Sequence, residues 1–276
     1  QTIRIGNVHG TATSPIIIMG ETPTGHILKG DGNNIFQLRT SSHVILENLN
    51  IVGEVENIPL QDAWDHRFDY KIEGDSTVYQ RVNPDLSPAD IESLTLPDIS
   101  GLSIIRPSLY TTDGFVLQVS RHITIRNCRI SYMPGTGLQV YGSDFVTVEG
   151  NIVHNNSRRS SVGTHGLMVH STSNVVGGVS VVDNGYRIKV IGNTVYQNYN
   201  EVYSWSNLKT FITPHIDEGK GISIQKTGST FDNGTGRILI ANNVAYSNGL
   251  SGIHLQYTTK VDIFFNTVVE NTFYGW

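Results

Sequence analysis

Between Asn127 and Asn271 one short pattern returns four times, and few architectures can use such a pattern. The runs Gly137-Leu-Gln-Val-Tyr141, Gly166-Leu-Met-Val-His170, Gly221-Ile-Ser-Ile-Gln225 and Gly252-Ile-His-Leu-Gln256 share one register. Each is followed by a second apolar run that ends on asparagine, at Asn151, Asn193, Asn243 and Asn266. Another asparagine comes five residues later each time, at Asn156, Asn198, Asn248 and Asn271. The glycines are 29, 55 and 31 residues apart, so insertions break the period while the internal order holds. Self-similar strands without a helical period read as a solenoid of β-coils. Coils stacked about 4.8 Å apart turn equivalent residues into columns. A column of asparagines can pass amide hydrogen bonds up the stack beside an apolar core. The pattern predicts an all-β, right-handed parallel β-helix with asparagine ladders, and it places Asn48 in the first of those columns.

The 276 residues are read as a single domain spanning 1–276, because a solenoid grows by adding coils rather than by splitting its core. Long loop insertions interrupt it at about 53–113 and 198–220. Neither end reads as a polar cap, so the sequence is expected to be part of a longer helix. The segment Gln61–Ile99, rich in acids and carrying Trp64, His66, Phe68, Tyr70 and Tyr79, is expected to be a loop, either a lid on the flank or a wall of a groove. Only 16% of residues are charged and the net charge is −5, which gives no general attraction to nucleic acid or to an anionic membrane. No apolar run reaches membrane-spanning length. An acidic partner would therefore need a locally basic groove. Cys128 is the sole cysteine and is expected to be a buried, reduced thiol.

Strand side chains alternate, so the glycine-started runs can be sorted by face. One outward column reads Gln118, Tyr141, His170, Gln225, Gln256, and its neighbour reads Val116, Gln139, Met168, Ser223, His254. Amides, imidazoles and a phenol with few charges suit sugar hydroxyls. The residues just before the glycines form a third column at the sheet edge: Asp113, Thr136, His165, Lys220, Ser251. His165 and Lys220 fall on consecutive coils. A lysine beside a histidine and partly covered by a loop is a candidate base near neutral pH, whereas one paired with Asp217 or Glu218 would be an ordinary loop lysine. Tyr186, opening the strand after the 171–185 loop, is placed to lean over the edge as an acid or to pack. Arg158 and Arg159 precede His165 and offer a bidentate clamp for a carboxylate. Arg187 and Lys189 alternate with Ile188 and Val190 and read as surface charges of another sheet.

Asparagine ladders, the entry segment Gly10–Ile18 and one decorated sheet resemble the β-helical polysaccharide lyases and their relatives. Polygalacturonases share Thr164-His165-Gly166 and Arg187-Ile188-Lys189 in part, but their acidic motifs are absent here, and glycoside hydrolysis needs two carboxylates. Calcium-dependent pectate lyases carry acids on the cleft sheet. These outward columns have none, so calcium would have to be held by loop oxygens. The chain looks most like the metal-independent bacterial alginate lyases of this fold (polysaccharide lyase family 31-like). That resemblance implies a secreted, extracellular enzyme, without a cofactor and expected to be monomeric, that acts on an acidic polysaccharide by β-elimination. It implies Lys220 as base, Tyr186 or Tyr141 as acid, and Gln139, His165, His170, Gln225, His254 and Arg159 around the substrate. A glycoside hydrolase or epimerase of the same fold, or a noncatalytic carbohydrate-binding β-helix, are the alternatives.

Overall fold

A computed structural model describes residues 2–66, 69–72, 78–80, 104–105, 108–172, 185–202, 216, 218–227 and 237–272. Seven coils wind into three parallel sheets of seven strands each. Sheet 1 takes Ile3–Gly6, Asn34–Arg39, Asp113–Gln118, Leu138–Tyr141, Leu167–His170, Ile222–Gln225 and Ile253–Gln256. Sheet 2 follows from Ile16–Met19 to Val261–Phe264, and sheet 3, of two- and three-residue strands, from Ile27–Leu28 to Thr267–Val269. The parallel β-helix expected from the repeat is the fold observed, and its first strand is Ile3–Gly6.

The registers reproduce the columns. Leu38, Leu117, Val140, Val169 and Ile224 are in line on sheet 1 and fully buried, which makes the spine of the core. Outward-facing Gln118, Tyr141, His170, Gln225 and Gln256 are in line beside Val116, Gln139, Met168, Ser223 and His254.

Both asparagine columns form. Asn193 donates its backbone N–H (2.9 Å) and its Nδ2 (3.0 Å) to Asn243 Oδ1, and its Nδ2 also reaches Val148 O at 3.0 Å. Asn198 does the same toward Asn248, at 3.2 and 2.9 Å. Each ladder is headed by an apolar residue whose backbone N–H donates to the first asparagine: Cys128 to Asn151 at 2.9 Å and Met133 to Asn156 at 3.0 Å. Cys128 is buried as expected, and burial pushes its thiol up to about 11.

Asn48 is a correction. It stands one position before the ladder, in a column of left-handed residues with Asn127, Gly150, Gly192, Asn242 and Phe265. Asparagine and glycine are the residues that tolerate this conformation most readily, so the two roles look alike in sequence. A hydroxyl ladder that the sequence reading missed lines the corner between sheets 1 and 2. Ser41 N donates to Ser120 Oγ and Ser120 N to Ser143 Oγ, both at 3.1 Å, and Thr227 Oγ1 bonds Thr258 Oγ1 at 3.0 Å.

The insertion after Gly53 is not a plain loop either. It carries a short helix, Leu60–Asp65, and a separate antiparallel sheet of Val78–Gln80, Asp69–Ile72 and Ile104–Ile105. Strands of two to four residues among many acids and prolines leave too short an alternation to read. His66 stacks on Tyr110, ring centroids 5.8 Å apart. The other aromatics singled out there, Phe68, Tyr70 and Tyr79, lie outside the described side chains.

Truncating a mid-ladder asparagine orphans several buried groups at once, including the Asn156 amide that donates to Asn198 Oδ1 at 2.8 Å and the carbonyl of Val153. An unsatisfied buried polar group costs about 1–3 kcal/mol. Asn198→Ala is expected to lower unfolding stability by roughly 3 kcal/mol or more in urea melts, whereas Asn266→Ala, in the partly exposed last coil, costs less than half as much.

Candidate functional site

The glycine before each of the last four sheet 1 strands is where the chain turns inward past the ladder. A Cβ added at Gly166 would lie 2.6 Å from Asn198 Nδ2, so the close packing of ladder and sheet excludes a side chain there. The residue just before the glycine is then left at the sheet edge, and its carbonyl joins the stack. Gly137 N donates to His165 O (3.1 Å), Gly166 N to Lys220 O (2.9 Å) and Gly221 N to Ser251 O (2.8 Å). Thr136, His165, Lys220 and Ser251 therefore form the edge column expected from sequence.

Two of these side chains join one network. Lys220, only 5% exposed, donates from Nζ to Glu218 Oε2 at 2.5 Å. The same carboxylate oxygen lies 3.7 Å from Nδ1 of the fully buried His165. His165 Nε2 is 2.8 Å from Gln225 Nε2, which also donates to Ser223 Oγ at 2.8 Å, and Ser223 Oγ is 3.3 Å from His254 Nδ1. An amide N–H donated to His165 Nε2 requires that nitrogen to be bare, which puts the ring proton on Nδ1, facing Glu218. A neutral ring agrees with the electrostatics. Burial, then the Lys220 charge, hold His165 well below the usual imidazole range, and the same two causes push His254 down to about 4. His170 is lowered by burial and by Lys226. At neutral pH this surface presents uncharged imidazoles around one lysine–glutamate pair.

Glu218 is the member that sequence reading left as a mere partner. Its position depends on Gly219, whose φ is +75° and where a Cβ would come within 2.4 Å of Tyr199 Cα. The Glu218-Gly219-Lys220 spacing was the available signal: a left-handed glycine turns the chain so that both charges point to one spot. Asp217, the other expected partner, lies outside the described residues.

The remaining candidates separate by position. Tyr141, over a third exposed, stacks on His170 with ring centroids 5.6 Å apart and planes 18° apart, and Gln139 stands in the next column of the same face. Tyr186 belongs to sheet 2, where it hydrogen-bonds Asp262 and lies under Arg237 at 5.5 Å. The structure does not bring it to Lys220. Arg159 is no exposed clamp. It is buried, donates from Nε to Ile58 O at 2.8 Å and pairs with Glu201, which also takes Arg158 at 2.9 Å. Arg187 is a second correction, being buried and paired bidentately with Asp144 rather than set on the surface. The Phe145 ring also covers its guanidinium, at the irregular step in the register between Tyr186 and Ile188. Among the described residues no three His, Cys, Asp or Glu side chains are grouped as a metal would need.

The family described as "Right handed beta helix region" matches residues 99–276. Among solved structures, this chain is similar to pectate lyase Pel9A, with a TM-score of 0.42 and 12% identity, over 90% of this chain and 50% of that one. It is also similar to the A-modules of two mannuronan C-5 epimerases of Azotobacter vinelandii. For AlgE4 the TM-score is 0.39 with 13% identity, over 98% of this chain and 68% of that one. For AlgE6 the values are 0.39 and 11%, over 98% and 66%. The chain thus spans half the length of the pectate lyase. No curated protein matches its sequence.

Asp113, at the lower end of the edge column, provides a pH test of this edge. Burial pushes its carboxyl up to about 7, against the opposing hydrogen bond that its Oδ1 accepts from Thr136 N at 2.7 Å. A carboxyl raised on folding contributes stability below its unfolded pKa of about 4 and loses it as pH rises through 7. Asp113→Asn keeps the acceptor and removes the titration. It is expected to match the wild type at pH 4 and to be more stable by roughly 2 kcal/mol at pH 8 in urea melts.

Proposed function

This chain belongs to the right-handed β-helix family, and we propose that it is a polysaccharide lyase which cleaves a uronic-acid polymer, alginate being the substrate proposed, by β-elimination. The carrying observation is the Lys220–Glu218–His165 group, enclosed at the edge of a sheet whose outward columns hold amides, imidazoles, Tyr141, Arg4 and Arg39 but no carboxylate. A chain of net charge −5 thereby keeps a face with only positive side charges, the local basic groove that a polyanion requires. The proposed enzyme is secreted and acts as a monomer on a polymer met outside the cell.

The reaction needs three acts. Lys220, having passed a proton to Glu218 Oε2, takes the C5 proton. Glu218 Oε2, 2.5 Å from Nζ, is the acceptor for that proton. The neutral His254, one coil step from Ser223 on the coil of Lys220, donates a hydrogen bond to the uronate carboxylate as charge moves onto it. Electrons from the broken C5–H bond form the C4–C5 double bond, the C4–O4 bond breaks, and Tyr141 protonates O4. Hydrolysis is disfavoured by distance. Asp113 and Glu218 bring the described carboxylates to this edge, but three coil steps separate Asp113 from Lys220, about 14 Å along the axis. Paired carboxylates in glycosidases are at most about 9.5 Å apart.

The chain should be incubated with alginate, its homopolymeric blocks, pectate and hyaluronan, with and without a chelator, while ultraviolet absorbance of unsaturated uronate is followed. A rise on one polymer that survives the chelator is expected. Lys220→Ala should lower kcat at least roughly a hundredfold, and Glu218→Gln, of equal length but uncharged, at least tenfold. Wild-type rates in Lys220→Ala would sink the base assignment. A change of uronate configuration without new absorbance would identify an epimerase instead.

A further inference from the structure

The outward columns of sheet 1 continue toward the N-terminal coils beyond the edge network. Arg4 lies in line with Gln37 and Val116, and Gly6 is in line with Arg39 and Gln118. Arg4 and Gly6 are two residues apart on one strand, so they face the same side. Gly6 has no side chain, and the Arg39 stem lies over it: a Cβ added at Gly6 would come 3.2 Å from Arg39 Cγ and 3.9 Å from Cδ. The Arg39 stem thus leans from its own coil onto the first, whose Arg4 stands on the same face. Both side chains are exposed.

Their charges are not neutralised among the described residues. Arg126, Arg158, Arg159, Arg187 and Arg237 each have a carboxylate partner, whereas Arg4 and Arg39 have none among the described residues. Unpaired guanidinium groups also occur at Arg121 and Arg129, but singly and on the other two sheets. Two like charges gathered on one face repel unless an anion sits between them, and planar guanidiniums match a carboxylate in geometry. Between this pair and the Tyr141–His170 stack lies a neutral polar track, with Gln37 Nε2 donating to Gln118 Oε1 at 3.5 Å.

We infer that Arg4 and Arg39 form a distal anion subsite that binds a carboxylate of the same polyuronate chain, four to five sugar residues from the reacting one. This rests on the function proposed above. The polymer runs along the helix axis. Four coil steps separate Arg39 from Gln225, on the coil of Lys220, about 19 Å, and a pyranose residue is about as long as one coil is high. The subsite makes affinity depend on chain length and on salt, because each exposed arginine contributes through screened charge.

Michaelis constants for a uronate trimer and an octamer, measured on wild type and on Arg4→Gln/Arg39→Gln, test this. The double variant is expected to raise KM for the octamer by roughly tenfold with kcat unchanged, and to leave the trimer untouched. Equal KM shifts for both lengths, or no shift, would overturn the subsite. Electrophoresis through native gels cast with alginate reads binding without turnover. Retardation of the wild type that is lost in the double variant, with melting temperatures equal, supports the subsite even if no unsaturated product ever forms, a result that would sink only the lyase reading. Equal mobility of the two proteins in those gels would overturn the subsite.

Discussion

A parallel stack of coils leaves buried backbone polar groups at every corner, and their pairing is the constraint on which the rest of the structure depends. Strand ladders satisfy the faces, but the corners turn inside the protein, where an unpaired N–H or C=O is costly. Asparagine solves this at both ends of sheet 3. One side chain accepts from the coil on one side and donates to the coil on the other, so Asn151, Asn193, Asn243 and Asn266 act as one continuous hydrogen-bonded file. Serine and threonine do similar work between sheets 1 and 2. Because each link lies within one coil spacing, the solution tolerates insertions in the connections without disturbing the files.

That tolerance locates the site. The long connections enter or leave sheet 1, and the glycines that let its strands pass close to the ladder put the preceding residues on its edge. His165 and Lys220 arrive on neighbouring coils for this reason alone, although 55 residues separate them in sequence. Burial then does chemical work. The low-dielectric edge keeps His165 and His254 uncharged next to a lysine and draws that lysine onto Glu218. A face made of neutral donors, with cations at Arg4 and Arg39 and acids kept off it, has the chemistry that the proposed polyuronate substrate would require.

Other charged residues show how the same physics serves structure instead. Arg158 and Arg159 looked available because they sit near His165 in sequence. Yet Glu201, from the next coil, takes both guanidiniums, and the Ile58 carbonyl takes the remaining Nε of Arg159. Tyr186 likewise has local partners in Arg237 and Asp262. Such pairs tie a connection to the coil beneath it, and their geometry is set by residues one or two coils away.

The sequence by itself determined the fold, the registers of sheet 1, both asparagine files from Asn151 onward and the edge column, because each of these is a period that repeated residues record. Three features were beyond it. Asn48 could not be told from a ladder residue, since the left-handed corner and the ladder favour the same side chain. Arg187 escaped the surface reading because Asp144 and the Phe145 ring cover its guanidinium at an irregular step in the register, and no residue type announces such a cover. The network around Glu218 depended on how the chain enters the edge, at a left-handed glycine packed against Tyr199. Periodic hydrogen bonding is written in the order of residues. Which charge meets which is mostly decided when non-repeating connections fold back onto the stack, so the partners of Arg159 and Tyr186 belonged to the tertiary structure, whereas pairing of Lys220 with Glu218 was one of the alternatives the sequence offered.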